Sequence, residues 1–257
     1  MTSTELASAA LASLFTDFDQ EAAASLLAPD YIQHNPGVPT GAAPVLGLIP
    51  DLEASGISVT RHRVITDGDL VVMHNTYDNA QAFGAPTLVA FDIFRVDSGK
   101  VVEHWDNLQA PAPANASGRT LTDGPTEVTD LDKTEANKAL VTEFAQTVLI
   151  GGAFDQIGEY IIGGDAYLQH NPFFGDGLRA LGEGFARLAE EGNTIVYDEV
   201  HQVIGQGNFV LLMSEGLFGD APTAYYDLFR LEDGKIVEHW DVIQEIPAEM
   251  AHDNGKF

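Results

Sequence analysis

The chain contains no cysteine, so neither disulfides nor thiolate metal sites contribute to it, and nothing in it calls for an oxidising compartment. Basic residues are scarce: 12 Lys and Arg stand against 39 Asp and Glu, a formal net charge of −27. Nucleic acid and anionic membrane surfaces repel such a molecule. The surplus carboxylates read as a solvated surface rather than as a site for a cationic partner. Long apolar runs are also missing. Leu70–Met73 and Phe209–Met213 are strand-sized, far short of the roughly 20 residues that cross a bilayer. Residues 1–20 do not read as a signal peptide, because Glu5 precedes the apolar part, no basic cluster opens it, and Asp17 and Asp19 follow closely. The expectation is a cytoplasmic protein with neither nucleic acid nor membrane as partner. Nucleophilic catalysis lacks support, since there is no thiol and no serine in a Gly-x-Ser-x-Gly turn. The glycine pairs Gly151-Gly152 and Gly163-Gly164 fit turns better than a phosphate cradle.

What is present is a repeat. Tyr31-Ile32-Gln33-His34-Asn35-Pro36 returns as Tyr167-Leu168-Gln169-His170-Asn171-Pro172. Phe91-Asp92-Ile93-Phe94-Arg95-Val96 returns as Tyr226-Asp227-Leu228-Phe229-Arg230-Leu231, and Gly99-Lys100-Val101-Val102-Glu103-His104-Trp105-Asp106 as Gly234-Lys235-Ile236-Val237-Glu238-His239-Trp240-Asp241. Three blocks in one order at a nearly constant offset mark a duplicated domain, with a period too long for a solenoid. The expected division is a first copy at 1–110, a linker at 111–134 rich in Pro, Ala, Ser, Thr, Gly and Asp, and a second copy at 135–257.

Within a copy, apolar spacing predicts helices over Leu6 to Phe18, Glu21 to Leu27 and Pro44 to Glu53, then strands over Ser58 to Thr66, Asp69 to Tyr77, Thr87 to Val96 and Lys100 to Leu108. The second copy repeats this, with helices over Lys138 to Leu149, Phe154 to Ile161 and Leu178 to Glu190. Helices followed by an antiparallel sheet make an α+β fold.

The last two strands of each copy carry the chemistry. Reading Asp97-Ser98-Gly99 and Glu232-Asp233-Gly234 as three-residue hairpin loops places Asp92 opposite His104, with Phe94, Val102 and Asp106 on the same face. Ile93, Arg95, Glu103 and Trp105 then share the other face, where Arg95 and Glu103 pair diagonally. Asp92 lies in an almost continuous apolar strand, so its carboxylate must be paired, hydrogen-bonded or protonated. An Asp–His pair there is poised for proton transfer near neutral pH. The bland reading, an aspartate that merely anchors a loop, is the better one for a single residue; a copied Asp-His-Asp set favours a pocket. His34 and His170, in their His-Asn-Pro loops, are expected at the pocket mouth. His74 has no counterpart and could modify only the first pocket; His62 and His201 read as surface residues.

On these blocks the sequence resembles the SnoaL-like group of the NTF2-like superfamily, over both halves apart from the linker and the tail from about Pro247. The resemblance implies two cone-shaped domains, each a curved antiparallel sheet with three helices enclosing a pocket, joined as an intramolecular pseudo-dimer. It also implies polyketide-cyclase chemistry, an intramolecular aldol condensation in which aspartate, aided by histidine, moves protons without cofactor or metal. Its candidate catalytic residues are Asp92 or Asp106 with His104 and His34, and Asp227 or Asp241 with His239 and His170. The leading expectation is acid–base catalysis on a small, apolar carbonyl compound. The alternatives are a non-catalytic apolar-ligand carrier lined by Phe91, Phe94, Tyr225, Tyr226 and Phe229, and, less favoured for want of a metal-ligand spacing, a zinc or iron site on the same His and Asp residues.

Overall fold

Thr2 and Glu5 start the chain's first helix by capping each other: the Glu5 amide donates to Thr2 Oγ1, and the Thr2 amide donates to Glu5 Oε2 at 2.8 Å. The helix, α1 (Ser3–Phe15), buries Leu6, Ala7, Ala10, Leu11 and Leu14 along one stripe. Asp19 caps α2 (Gln20–Leu26), and Gly56, at φ +67°, ends α3 (Ala42–Ser55). In this computed structural model, which describes all 257 residues, the first sheet comprises β1 (Leu27–Gln33), β2 (Ser58–Asp67), β3 (Leu70–Asp78), β4 (Thr87–Asp97) and β5 (Lys100–Gln109) in the order β1-β5-β4-β3-β2. The predicted helices and the four predicted strands are all there, each within a few residues.

The second sheet repeats the order with β6 (Leu168–Gln169), β10 (Lys235–Glu245), β9 (Ala221–Glu232), β8 (Phe209–Phe218) and β7 (Ile195–Gln206). Its helices are α4 (Thr134–Phe144), which runs into a wider helical turn at Ala145–Ile150, the short α5 (Ile157–Tyr160) and α6 (Gly177–Glu190). Both units are α+β, as expected, but neither sheet is purely antiparallel. The unpredicted edge strands β1 and β6 run parallel to β5 and β10 and bring the Gln-His-Asn loops alongside them.

The hairpin differs from the three-residue expectation. Asp97 pairs with Lys100 around Ser98 and Gly99, both at positive φ (+49° and +77°), a two-residue turn whose backbone twist matches the strands. That turn alone would put Asp92 opposite Trp105. A bulge corrects it: Val101 pairs with Val96, Glu103 with Arg95, and Val102 faces no partner. From the bulge onward Asp92 lies opposite Asp106, Phe94 opposite His104 and Arg95 directly opposite Glu103, rather than diagonal to it. Val102 accordingly leaves the Asp92 face, and Val101 enters the core. The second unit has the same turn at Asp233-Gly234 and the same bulge at Val237, so Asp227 faces Asp241.

The unit boundaries also depart from the expected ones. The first unit is Met1–Pro111 together with Pro247–Phe257; the second is Ala112–Ile246. Residues 112–134 thus belong to the second unit rather than to a free linker, and the last eleven residues complete the first. No helix is long and apolar enough to cross a membrane.

Candidate functional site

In the first unit α1, α3 and the sheet enclose a cavity of about 590 Å³, open mouth included, with an apolar wall of Leu11, Leu14, Val45, Phe83, Leu88 and Phe94. Its polar floor holds Asp92, His104 and Asp106 with Gln33, Asn35 and Tyr77. The second cavity, about 550 Å³, presents Asp227, His239 and Asp241 with Gln169 and Tyr197. Six of the eight candidate residues therefore converge, three in each cavity.

The histidine ring is held in one orientation. Gln33 Oε1 accepts the backbone N–H of His34 and of Asn35, both at 2.9 Å, which identifies it as the oxygen. His104 Nδ1, 3.0 Å away, must then be the donor, leaving Nε2 to face Asp92 Oδ1 at 3.4 Å. In the second unit Gln169 Oε1 accepts the Asn171 amide and fixes His239 Nδ1 at 3.0 Å, while Nε2 lies 2.9 Å from Asp227 Oδ1. Each histidine thus turns Nε2 toward an aspartate, closely in the second unit and more loosely in the first.

The paired aspartates have distinct surroundings. Asp92 Oδ2 accepts from Asn75 Nδ2 (2.7 Å) and Tyr77 Oη (2.9 Å). Asp227 accepts from Tyr197 Oη at 3.1 and 3.2 Å. Burial raises both phenols far above their ordinary range, with the Asp charge adding to it, so both stay protonated donors. Tyr77 stands on β3, whereas the matching place on β8 is Gly216, where a Cβ would lie 1.9 Å from the Val196 carbonyl oxygen. The phenol comes instead from Tyr197 on β7, directly across from Gly216. Tyr77→Phe, which removes one donor from a buried carboxylate, should cost about 1–3 kcal/mol in urea unfolding; an unchanged midpoint would mean that the hydroxyl does not hold Asp92.

The second aspartate of each set is less encumbered. Asp106 Oδ2 accepts from Asn35 Nδ2 at 2.5 Å, and Asp241 Oδ2 accepts from Asn171 Nδ2 at 2.6 Å. Asp241 Oδ1 is buried with no hydrogen-bond partner. Burial pushes the Asp241 carboxyl up to about 6; the nearby His239 opposes this and the Asp227 charge reinforces it. For His239, burial alone would lower the pKa, but the Asp227 hydrogen bond and the charges of both aspartates outweigh it and leave the imidazole raised. The three ligand atoms in each set lie within 4.8 Å of one another, close enough to hold a cation, as do those of the more exposed Glu199, His201 and Glu215. In the cavities the His Nε2 already faces a carboxylate, and the carboxylates are met by amide and phenol donors, a set arranged for protons.

His34 and His170 are not at the pocket mouth. His34 stacks on Trp105 (ring centroids 4.9 Å apart), its Nε2 donates to Glu103 Oε1 at 2.9 Å, and its Nδ1 donates to the Gly255 carbonyl at 3.0 Å. His170 stacks on Trp240 and donates to Glu238 at 2.8 Å and to the Thr120 carbonyl. Loop residues alternate as strand residues do: beside β5 and β10, Gln33 and Asn35 turn inward, so His34 turns outward. His74 likewise lies on the outer face, against Arg63 and Phe91. His62 is half-buried, with its ring on Thr76 Oγ1, and His201 is exposed near Glu215. Of the five aromatic residues expected to line a cavity, Phe94 and Phe229 do; Phe91 and Tyr226 alternate onto the opposite face. Gln33, Asn35, Gln169 and Asn171 join the sites unpredicted; their recurrence in the same loops as His34 and His170 is the signal that marks them.

Residues 8–104 match the family described as SnoaL-like domain. No curated protein sequence matches the chain. Among solved structures, the chain is similar to TsrD from Streptomyces laurentii, at 22% identity over 41% of this chain and 87% of that one, with a TM-score of 0.35. It is similar to IdmH from Streptomyces antibioticus, described as a candidate polyketide cyclase, at 24% identity over 42% and 93% of the two chains, TM-score 0.35. An LEH-like epoxide hydrolase of M. tuberculosis matches at 19% identity over 42% and 82%, again with a TM-score of 0.35.

Proposed function

We propose, from the premise that residues 8–104 form a SnoaL-like domain and that the second unit repeats its sheet and side-chain set, that each cavity enolises a small apolar carbonyl compound by general acid–base catalysis. Asp106 and Asp241 are the bases. Asp92 and Asp227 are the partners that hold the histidine and its charge. The observation that carries this reading is the division of labour just described: one aspartate is tied down by the histidine and a phenol, while the other keeps a buried oxygen unpartnered (Asp241 Oδ1) on the polar floor of an apolar-walled cavity.

In the reaction, the free carboxylate oxygen takes the proton next to the substrate carbonyl, and the electron pair moves onto the carbonyl oxygen. The proton between His Nε2 and its aspartate partner passes to that developing enolate oxygen as the substrate oxygen comes alongside Nε2, while glutamine keeps hold of Nδ1. The Asp partner keeps the positive ring stable until the proton moves. Returning the proton to another carbon isomerises the substrate; attack of the enol carbon on a second carbonyl of the same molecule closes a ring, the enol proton going back to the histidine and the alkoxide taking up the proton that the base removed. The apolar wall excludes water and suits a substrate whose only polar handle is its carbonyl groups.

The test is solvent deuterium incorporation, followed by NMR, into apolar ketones with acidic α-protons, 2-tetralone first. Incorporation well above the buffer rate supports enolisation. Exchange at the buffer rate throughout, with ketone bound but chemically unchanged, would instead make this a carrier of apolar ligands.

The pH dependence of the second cavity follows from its two groups. Asp241 must be ionised to accept a proton, so activity climbs as pH rises through about 6. His239 must be protonated to donate, and its pKa lies above the ordinary value of 6.5, so activity falls again on the alkaline side. A bell-shaped kcat/KM profile is expected; a profile flat from pH 5 to 9 would remove both assignments.

A further inference from the structure

The first unit contains a buried cation that the second does not match. Lys256, in the terminal segment that completes the first unit, is 3% exposed. Its Nζ donates to the backbone carbonyl of Asp106 at 2.6 Å and lies 3.7 Å from Asp106 Oδ1, the oxygen that corresponds to the unpartnered one on Asp241. The segment is fastened along the Gln-His-Asn loop. Ala251 N donates to the Pro36 carbonyl, His252 Nε2 to the Asn35 carbonyl, and Asn254 Nδ2 to the Gln33 carbonyl. Gly255 supplies the carbonyl that accepts from His34.

Residues 112–134 occupy the equivalent place in the second unit. Asn115 Nδ2 donates to the Gln169 carbonyl, Thr120 accepts from His170, and the Asp123 carbonyl accepts from Trp240 Nε1. Gly124, at φ +92°, passes so close that a Cβ would lie 2.9 Å from both Glu238 and Trp240. The two cations of this segment are engaged elsewhere, Arg119 with Asp176 and Lys133 with Asp130. Asp241 is left facing His239 on its own strand, Asp227 and Tyr225 from β9, Tyr197 from β7 and Tyr167 from the segment entering β6, with the charge of His170 acting from the outer face. Asp106 faces His104 on its own strand, Asp92 from β4, Tyr77 from β3, Tyr31 from β1, and Lys256.

We propose that Lys256 is a positioning residue that makes the two cavities unequal: its ammonium fixes the Asp106 carboxylate in the first cavity, so that cavity keeps working under acidic conditions that switch the second one off. This rests on Asp106 and Asp241 being equivalent bases. Burial lowers the Lys256 amine to about 8, against the pull of Asp106, so it still carries its charge at pH 5–7. A cation within about 4–6 Å favours the ionised form of a carboxyl by about 1–3 pH units. With Lys256 Nζ 3.7 Å from Asp106 Oδ1, the first cavity should keep its rate at acid pH where the second, whose base titrates near 6, loses its own.

The experiment measures each cavity alone in the full chain, by deuterium exchange into 2-tetralone from pH 4.5 to 9, with Asp241→Asn silencing the second cavity and Asp106→Asn the first. At pH 5 the second cavity should have lost about tenfold of its rate, as a base with a pKa near 6 requires, and the first much less. Coincident acid limbs overturn the proposal without any change at Lys256. In the Asp241→Asn background, Lys256→Gln keeps a donor for the Asp106 carbonyl but removes the charge; it should move the acid limb to higher pH, and Lys256→Arg should move it back. A Lys256→Gln loss that is uniform across pH shows a structural role only and overturns the proposal. A second readout needs no turnover: the Asp106 carboxyl carbon resonance, titrated in the otherwise wild-type chain and in Lys256→Gln, should show the same displacement. If it does while no ketone is exchanged by any form, the lysine effect stands and the enolisation reading fails.

Discussion

Asp241→Asn is expected to lower the exchange rate of the second cavity by about 10²–10⁴-fold, the usual contribution of a positioned general base, and at the same time to make the protein more stable at pH 8. The two effects have one origin. Asparagine fills the same space and still accepts from Asn171, but it cannot take a proton from carbon. The buried carboxyl titrates near 6 in the folded unit, against 3.8 for an ordinary Asp. Because the folded pKa is the higher one, its protonated form favours folding below about pH 4, and that contribution is lost as pH rises through 6. Above pH 7 the ionised group costs about 3 kcal/mol, which asparagine does not incur. Thermal unfolding of the two forms should therefore diverge between pH 5 and 7, with the variant higher, while exchange in the second cavity disappears. A variant that loses activity but also melts lower at pH 8 would show Asp241 to be structural. Asp106→Asn should silence the first cavity by a similar factor, with less gain in stability, since Lys256 already balances that charge.

The largest loss of stability is expected from Glu238→Ala. Glu238 is fully buried, its Oε1 accepting from His170 Nε2 at 2.8 Å and its Oε2 from Arg230 Nε at 2.7 Å. Burial alone would raise the Glu238 pKa, but the His170 and Arg230 hydrogen bonds and charges prevail and lower it, so it is ionised at neutral pH. Deleting it takes the acceptor from His170 Nε2 and from Arg230 Nε in a buried site, with the guanidinium left only its pair to the exposed Glu232, at a cost of about 3–5 kcal/mol. Domains are held by about 5–15 kcal/mol, so the urea transition of the second unit should move to much lower denaturant or vanish. Glu103→Ala in the first unit should cost less, because Arg95 keeps a third of its side chain in solvent. Equal losses at the two positions would show that burial does not set the strength of these pairs.

The helices and the four long strands of each unit were legible because they rest on local patterns, a stripe at helical spacing or an apolar alternation. The Asp-His-Asp face was legible because the repeat printed it twice. Five things were not. The edge strand β1 (Leu27–Gln33) holds Pro29 and Asp30 and shows no alternation of its own; pairing with β5, some seventy residues away, is what makes it a strand. The hairpin was read with one residue too many in the turn, and the missing residue turned up as the bulge at Val102; only the backbone of both strands together distinguishes the two registers. The direction of His34 depended on that unseen strand as well, because a loop beside β5 alternates its side chains only once it is paired. Tyr197 gave no signal because its counterpart Tyr77 sits on a different strand, and Lys256 gave none because it lies in the unrepeated tail.

Strap and site are far apart in the chain: 150 positions separate Lys256 from the Asp106 carbonyl it grips. A ribosome adding about 5–20 residues per second delivers Lys256 roughly 8–30 s after Asp106. Throughout that delay the amino-terminal half waits for a peptide not yet made, while the carboxy-terminal half receives residues 112–134 before its own first helix emerges. The half synthesised first is therefore the one finished last.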